Sequence, residues 1–580
     1  MGKKFQILSH LTIITVVITA VFGCFYWHCI RNSLPLSYEG DAFQVLVGIQ
    51  GNATGENNPF TLRSLHRLNA PFYGSWCDYP FEKIISWGAA LLCRSFGLAE
   101  GTTLAVLFLQ ILAGLCFYAA GRPMRVHGCV LIAASVLFGL APYAFLQNLQ
   151  HLTLTAYWHI PLLVLTLLWL GWPERVNLPP RSGLMLGCVA AFIAGNLNPY
   201  YLGPFLVLLG FLALGPLFER NWRKIGMYGV IVGSAFAGFL IQNFDTLVYA
   251  ALHGRNSEAV SRDLWWMIKF GLYLPDLFFP RAHQNELVSR LSWAIYQSRV
   301  PSQLWGESQT AYIGVISILA LVVMLVSGVA LISSRKFERI SPFFWLTLGL
   351  IVFSMAGGIN YLLGSLGFLF LRATDRSSIM ISSMALYFLC EKFPLHVDRR
   401  WGALLAAIMI GVGIWDQLPR YPVWEETSRQ QAWRDFKSDQ VFFGTMEKEL
   451  PRGAMVFEFP VKDYPEMGPV NQMGDYEHFR PVLHTRELRF SYGTIKGRGD
   501  TDWQKRVSTE NAPEIVRDLT RYGFSAILVN RKAYTDRGET LRKVLCEAGA
   551  QILEENNDFV IMGIQSDLNP VLPLKDVNKT

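Results

Sequence analysis

Two acidic residues follow the first apolar stretch of the chain closely enough to lie at a membrane surface. Glu39 and Asp41 are separated by one glycine and come shortly after the apolar stretch 7–29. A carboxylate beside a bilayer loses part of its hydration, so its charge needs water, a cation or a reacting proton as partner. The position of Asp41 therefore predicts a base that takes a proton from a substrate presented at the membrane surface.

Two arginines further along the chain have the spacing of an anion-binding pair. Arg372 and Arg376 stand at the start of the apolar stretch 376–391. On a helix, residues four positions apart share one face, and guanidinium groups bind phosphate oxygens bidentately. The pair predicts a phosphate-binding site. Long cationic side chains that extend to the lipid surface are an equally compatible interpretation.

The loop after the first apolar stretch carries further candidate substrate ligands. Asp78 and His66 stand among aromatic residues such as Tyr73 and Trp76. Aromatic faces next to polar groups suit sugar rings, whose C–H faces stack while their hydroxyls form hydrogen bonds. The alternative is an aromatic belt with solvated charges. His151 is also a candidate ligand, although a lone histidine at a helix start more often forms a structural hydrogen bond.

These residues must be positioned by membrane-spanning helices. The 580 residues are 52% hydrophobic and 16% charged, and the mean hydropathy is +0.28, which is too apolar for a soluble globular protein. At about 1.5 Å of rise per residue and about 30 Å of hydrocarbon, eleven stretches are candidate spans: 7–29, 102–121, 129–145, 152–171, 182–198, 200–217, 225–241, 311–333, 341–358, 376–391 and 401–416. A further stretch, 82–98, is interrupted by Trp87 and Arg94 and is predicted to be interfacial.

The basic residues are distributed unequally between the connectors. Alternate connectors carry Lys3, Lys4, Arg122, Arg125, Arg175, Arg181, Arg220, Arg223, Lys224, Arg335, Lys336, Arg339, Lys392, Arg399 and Arg400, whereas 146–151 carries none. Positive residues stay on the cytoplasmic side. We therefore expect a multi-pass inner-membrane protein with a cytoplasmic N-terminus and with the loops 30–81 and 242–310 outside. This bias explains most of the net charge of +7, and nucleic acid is not a predicted partner.

The composition of the chain changes at about residue 417. Charged residues become frequent, and short β-like runs alternate with amphipathic helical patterns. The predicted strands are 454–459, 525–529 and 559–562, and the predicted helices are 511–521 and 536–548. The sequence thus predicts a polytopic α-helical membrane domain, residues 1–416 with its outer loops, followed by an extracytoplasmic α/β domain, residues 417–580.

Short motifs in this order resemble those of bacterial GT-C-type membrane glycosyltransferases. They are Gly40-Asp41, Leu68-Asn69-Ala70-Pro71-Phe72, Asp78-Tyr79-Pro80, Ala141-Pro142-Tyr143, His151-Leu152-Thr153-Leu154, Glu307 with Tyr312-Ile313-Gly314, Arg372-Ala373 with Arg376, Trp415-Asp416-Gln417 and Ser491 to Arg498. The resemblance implies a multi-span fold, a polyprenyl-phosphate-linked sugar as donor and an acidic base in the first outer loop. Asp41 matches that base. Glu39 is then the second acidic residue, although a glycine separates the two where many relatives have an adjacent pair.

The reaction that the resemblance implies is an inverting transfer of a hexose or pentose to an envelope glycan or lipid acceptor at the outer face of the membrane. Asp41 would act as the base, and Arg372 and Arg376 would hold the phosphate. The sequence has no ligand set that demands a cofactor, and a divalent cation between Asp41 and the phosphate stays open. Two alternatives remain. A lipid-sugar flippase would need polar residues at mid-bilayer and inverted repeats, and a non-catalytic assembly subunit would tolerate replacement of Asp41.

Overall fold

The protein is described here by a computed structural model that covers residues 3–58, 61–79, 83–299, 307, 310–395, 397–420, 423–499 and 501–574. Parts of both predicted outer loops, residues 80–82 and 300–306, lie outside this description. The helices before residue 418 are α1 Lys3–Phe25, α2 Trp27–Asn32, α3 Ala42–Thr54, α4 Lys83–Phe96, α5 Leu98–Gly121, α6 Gly128–Gly139, α7 Pro142–Gln147, α8 Leu152–Thr155, α9 Ile160–Gly171, α10 Pro180–Asn196, α11 Pro199–Phe218, α12 Trp222–Gln242, α13 Phe244–His253, α14 Trp266–Lys269, α15 Glu286–Arg299, α16 Val315–Ser333, α17 Pro342–Ser354, α18 Ile359–Ser365, α19 Ser378–Lys392 and α20 Arg399–Gln417.

Each predicted span overlaps at least one of these helices, although 129–145 overlaps both α6 and α7 and 152–171 contains both α8 and α9. The polytopic helical architecture is confirmed. Six helical segments of the described chain are long and apolar enough to cross a bilayer: Lys4–Phe25, Leu98–Met124, Gly128–Gln147, Pro199–Phe218, Trp222–Gln242 and Val315–Ser333. The other helices at predicted spans are shorter or less apolar, so the count of eleven crossings stays a prediction.

Close helix packing in the membrane region depends on small residues. A Cβ atom added at Gly195 of α10 would lie 2.1 Å from the Ala235 carbonyl oxygen of α12, and one at Gly238 of α12 would lie 2.2 Å from the Phe192 carbonyl oxygen. Small side chains let two backbones approach where lipid supplies no hydrophobic driving force. Any larger residue at Gly195 or Gly238 would therefore separate α10 from α12.

The C-terminal part contains a five-stranded sheet in the order β4-β3-β5-β7-β6. The β3–β4 and β3–β5 pairs are parallel, and the β5–β7 and β6–β7 pairs are antiparallel. Its elements are α21 Val423–Glu449, β3 Met455–Phe459, α22 Arg480–His484, β4 Arg489–Phe490, α23 Asp502–Ser508, α24 Ala512–Arg521, β5 Phe524–Asn530, α25 Glu539–Glu547, β6 Gln551–Glu555 and β7 Phe559–Gly563. The predicted α/β architecture is confirmed. At the start of α24, the Asn511 side chain accepts a hydrogen bond from the Glu514 N–H.

The first loop is joined to this sheet. It contains the short antiparallel pair β1 Ser64–Leu65 and β2 Gly74–Ser75. At the edge of the sheet formed by β4, the Phe490 N–H donates to the Arg67 carbonyl and the Ala70 N–H donates to the Phe490 carbonyl. The Trp76 indole also donates to the Gly493 carbonyl at 2.9 Å. The described part of the first loop from Arg67 to Trp76 is thus held by the C-terminal part of the chain.

The long helix α21 makes a second connection to the first loop. The Tyr38 hydroxyl donates to Asp439 of α21 at 2.6 Å, and the buried Arg480 guanidinium donates to both carboxylate oxygens of Asp439. A buried carboxylate is stable when it is paired and hydrogen-bonded in this way. These bonds fix the backbone just before Glu39 against α21. The predicted domain boundary at 416/417 stays a prediction.

The shared outer location of the loop and the C-terminal part is testable. Reporters active only outside the cytoplasm, fused near positions 60 and 450, should both give signal because the basic connectors lie on the other side. A fusion near position 336, beside Arg335 and Arg339, is the matched control and should be silent. Opposite results at 60 and 450 would contradict the predicted orientation.

Candidate active site

Asp41 is the residue that immediately precedes α3. Its carboxylate does not cap that helix. Instead, Oδ1 accepts a hydrogen bond from the Gln44 amide at 3.1 Å, and the side chain keeps 38% of its surface exposed. Burial raises the pKa of Asp41; nearby His151 opposes this shift and Glu307 adds to it. A carboxylate with a raised pKa accepts a proton more readily than an ordinary one, as a general base requires.

His151 lies between two carboxylates. Its Nε2 is 3.7 Å from Asp41 Oδ2 and 3.8 Å from Glu307 Oε1. Both distances are longer than a hydrogen bond, but the imidazole is still close enough for electrostatic interaction with either carboxylate. The structure thus brings His151 together with Asp41, as required for its predicted contact with substrate.

Glu307 connects this pair to the predicted phosphate ligand Arg376. The Arg376 guanidinium donates to Glu307 Oε2 at 2.8 Å. Burial acts to raise the pKa of Glu307, but Arg376 and His151 lower it to about 2. Glu307 is therefore ionised at neutral pH and holds Arg376 in place. Asp41, His151, Glu307 and Arg376 form one continuous row, which we call the acid–arginine row.

Arg376 is nearly buried yet keeps an unsatisfied donor. Its side chain is 8% exposed, its guanidinium carbon lies 4.2 Å from the centre of the Tyr200 ring, and Nε has no hydrogen-bond partner among the described residues. Burial and the charge of Glu307 raise the pKa of the neighbouring Asp375 to about 8. A raised pKa favours the protonated form of Asp375, and Glu307 is the carboxylate that pairs with Arg376.

Arg372 lies near the row but in a different environment. Its guanidinium carbon is 4.9 Å from the Trp266 ring centre and 5.1 Å from that of Phe270. The prediction that Arg372 and Arg376 share a helical face was wrong, because 369–371 and 374–377 form separate 3₁₀ turns. The Thr374 hydroxyl donates to the Ser354 carbonyl and the Asp375 N–H to the Phe270 carbonyl, which divert the backbone from a continuous helix.

The other predicted ligands lie outside the acid–arginine row. Glu39 accepts a hydrogen bond from the Gln150 amide at 3.2 Å. Asp78 accepts hydrogen bonds from Nε and one terminal nitrogen of Arg498, at 2.7 and 2.6 Å, and the His66 ring packs on Tyr73 at 4.9 Å. Asp78 therefore joins the first loop to the C-terminal part in this structure. Substrate contacts of Asp78 and His66, and a catalytic role of Glu39, stay predictions.

A segment of the C-terminal part closes over the site. The Tyr464 hydroxyl donates to the Gln44 side chain at 3.2 Å, and Glu466 accepts two hydrogen bonds from Arg262, at 2.6 and 2.7 Å. The Arg262 guanidinium lies 5.1 Å from the Trp266 ring that also contacts Arg372. The surroundings of the row thus combine three arginines, aromatic faces and a cover from the C-terminal part.

The described residues include no group of three or more His, Cys, Asp and Glu side chains placed to hold a metal ion. Asp41 and Glu307 are the carboxylates nearest to His151. A divalent cation at Asp41 would therefore take its remaining ligands from substrate phosphate or water. The cation stays a prediction.

Glu307 was matched from the sequence only as part of a motif, without a site role, and Tyr200 and Glu466 were not among the predicted site residues. Glu307 is separated from Arg376 by 69 residues, and no local periodicity relates the two. The available signal was charge, because Glu307 is an acidic residue that closely precedes the predicted span 311–333. An acid at the edge of the membrane needs a partner, and Arg376 begins another predicted span.

Comparison with solved structures identifies the architecture. No family model and no curated protein matches the sequence. The mycobacterial arabinofuranosyltransferase AftD superposes over 98% of this chain with a TM-score of 0.51 and 13% identity. The chain has the GT-C fold. It spans 40% of the length of AftD, so the remainder of AftD has no counterpart here.

Two other GT-C proteins match less closely over similar lengths. ArnT from Cupriavidus metallidurans, solved with undecaprenyl phosphate bound, has a TM-score of 0.43 and 14% identity over 95% of this chain and 97% of its own. The oligosaccharyltransferase of Archaeoglobus fulgidus, solved with Zn and sulfate, has a TM-score of 0.43 and 10% identity over 96% of this chain and 74% of its own.

Proposed function

We propose that the protein is a membrane glycosyltransferase that moves a sugar from a polyprenyl-phosphate donor to a hydroxyl of an envelope glycan or lipid. The observation that carries the proposal is the acid–arginine row, in which a half-exposed carboxylate with a raised pKa is connected through His151 and Glu307 to a buried arginine. The GT-C fold supports a transferase. Phosphate is the leaving group that this charge distribution favours.

The proposed reaction is a single displacement. Asp41 takes the proton of the acceptor hydroxyl, whose oxygen forms a bond to the anomeric carbon as the bond from that carbon to the donor phosphate oxygen breaks. The electron pair of the broken bond stays on the phosphate, where Arg376 and Arg372 stabilise the developing charge. Attack opposite to the departing phosphate inverts the anomeric centre. The raised pKa of Asp41 suits this proton transfer.

Arg376 has the donors that this step requires. One terminal nitrogen is held by Glu307, whereas Nε has no described partner. Because Glu307 fixes the guanidinium beforehand, phosphate binding costs little side-chain ordering. Glu307 thus acts as a positioning residue, and Arg376 binds the phosphate.

Reconstitution in vesicles tests the proposal. The purified protein, given radiolabelled polyprenyl-phosphate hexoses and pentoses with a lipid and glycan extract of the envelope, should release polyprenyl phosphate and transfer the label. Mass spectrometry of envelope glycans from cells with and without the protein should identify the missing sugar. Movement of intact donor across the vesicle membrane without phosphate release would indicate a transporter, and no reaction with an unchanged glycan profile would indicate an assembly subunit.

A further inference from the structure

A basic and aromatic groove lies between the C-terminal end of α1 and helix α21. Its volume is about 990 Å³, and its wall includes the aromatic residues Phe25, Tyr26 and Trp433, the cations Arg420, Arg429, Arg434 and Lys437, and the acid Glu426. We call it the α1–α21 groove. Four cationic side chains against one carboxylate give it a net positive charge, so an anion is its complementary ligand.

The groove opens at the level where the helices end. Pro419 and Arg420, which line it, directly follow α20, and Phe25 ends α1. Trp27 and Trp415 nearby are 62% and 57% exposed. Exposed tryptophans at the ends of apolar helices are typical of the membrane–water interface. An anion that reaches this groove from within the membrane is therefore a lipid headgroup.

A smaller cavity adjoins the groove. It has a volume of about 100 Å³, shares Arg429 and Trp433 with the groove, and is also lined by Glu39, Gln150 and Arg281. Glu39 precedes Asp41 by two residues, and Gln150 directly precedes His151. The two cavities thus adjoin, and the smaller one is lined by residues that neighbour Asp41 and His151 in the sequence.

The wall that the two cavities share is held in place by contacts of Trp433. The Trp433 indole donates to the Pro35 carbonyl at 3.3 Å, its ring packs on His28 at 5.0 Å, and the Arg429 guanidinium lies 5.7 Å from the same ring. An arginine beside an aromatic face suits a phosphate followed by a sugar, since the guanidinium binds the oxygens and the ring stacks on the sugar.

We propose that the α1–α21 groove binds the phosphate headgroup of a lipid-linked acceptor, and that the acceptor sugar passes along the smaller cavity to Asp41. This inference rests on the proposed function and specifies its acceptor as an anionic, phosphate-bearing glycolipid. Donor and acceptor phosphates are then held by different arginines. Arg372 and Arg376 hold the donor, whereas Arg429, Arg434 and Lys437 hold the acceptor, and Glu39 and Gln150 offer polar contacts to the acceptor hydroxyls.

Lipid binding to the full-length protein in detergent tests the site without requiring transfer. The probes are dioleoyl phosphatidic acid and dioleoylglycerol, which differ by the phosphate, and native mass spectrometry measures their binding. Phosphatidic acid should bind more tightly, and Arg429→Gln should weaken it about tenfold, the effect of losing one charge-assisted contact. Arg434→Gln combined with Lys437→Gln, both exposed residues, should do the same without affecting folding.

Two further variants make the result decisive. Lys448→Gln removes an exposed cation of α21 that does not line the groove and should leave binding unchanged, whereas Arg376→Ala reports any binding of the probe at the proposed donor site. Equal binding of both lipids would show a groove filled by bulk lipid and would overturn the proposal. Loss of binding in Arg376→Ala, with Arg429→Gln unaffected, would assign the anion to the donor site and would also overturn it.

The transfer assay separates the acceptor role from the glycosyltransferase activity itself. Arg429→Gln should raise the concentration of envelope lipid needed for the half-maximal rate about tenfold and should leave the donor dependence unchanged. A raised donor requirement instead would contradict the acceptor assignment. Absence of transfer in the unmodified protein would refute the proposed function, whereas the lipid-binding result would still decide whether the groove holds a phosphate.

Discussion

Asp41→Asn should lower the rate of sugar transfer by about two to four orders of magnitude, the usual contribution of a general base. The substitution keeps the size of the side chain and its contact with Gln44, but it removes the charge that accepts a proton. Asp41 is half-exposed and does not cap α3, so the amount of protein in the membrane should change little. Initial rates at saturating donor and acceptor, normalised to protein in the membrane, are the measurement.

Glu39→Gln is the matched control for this experiment. It removes a carboxylate from the same loop, but Glu39 accepts a hydrogen bond from Gln150 whereas Asp41 lies 3.7 Å from His151, so the loss of rate should be smaller. The pH profile adds a second readout. Because burial raises the pKa of Asp41, transfer should fall as the pH drops towards that raised pKa, and this acidic limb should vanish in the asparagine variant. Normal product from Asp41→Asn would refute the proposed mechanism and favour an assembly subunit.

The helices of this protein could be predicted from sequence because their signal is local. Lipid requires long apolar segments with internally satisfied backbones, and the predicted stretch 225–241, for example, lies within α12. The strand β5 was predicted at 525–529 and extends from Phe524 to Asn530, because its apolar run is bounded by polar residues. In both cases the residues that determine the element are the residues that form it.

Of the acid–arginine row, the sequence offered His151, Arg376 and Asp41 as candidates, and for Asp41 the signal was likewise local. The desolvation cost of the Asp41 carboxylate beside a membrane can be inferred from its position in the chain. The partners of this carboxylate cannot be predicted in the same way, since Glu307 and Arg376 meet across 69 residues. Asp78 likewise meets Arg498 across 420 residues. The prediction that Arg372 and Arg376 share a helical face was wrong because the Thr374 hydroxyl donates to the Ser354 carbonyl of α17. Local spacing does not encode such a tertiary contact.

Arg376→Ala should raise the donor concentration needed for half-maximal transfer by about 10- to 100-fold, the range expected when charge-assisted hydrogen bonds to phosphate are lost. Arg376→Lys should restore part of the affinity, because an ammonium supplies charge without the planar pair of donors. Arg372→Ala should have the smaller effect of the two alanine variants, since the Arg372 guanidinium lies against Trp266 and Phe270 and contributes mainly to the surrounding positive potential. Donor titrations in the vesicle assay give these values.

The difficulty with Arg376→Ala is that it also leaves Glu307 without its arginine. An uncompensated carboxylate destabilises a protein when it is buried, and less so when it is partly exposed, as Glu307 is. The double variant Arg376→Ala with Glu307→Gln removes both charges and therefore separates the two effects. If Arg376 binds the donor phosphate, thermal stability should recover in the double variant while the donor requirement stays high. Two outcomes would contradict this role: a donor requirement that returns to normal together with stability, or one that is unchanged in both alanine variants. Either would show that Arg376 is structural and that other residues bind the phosphate.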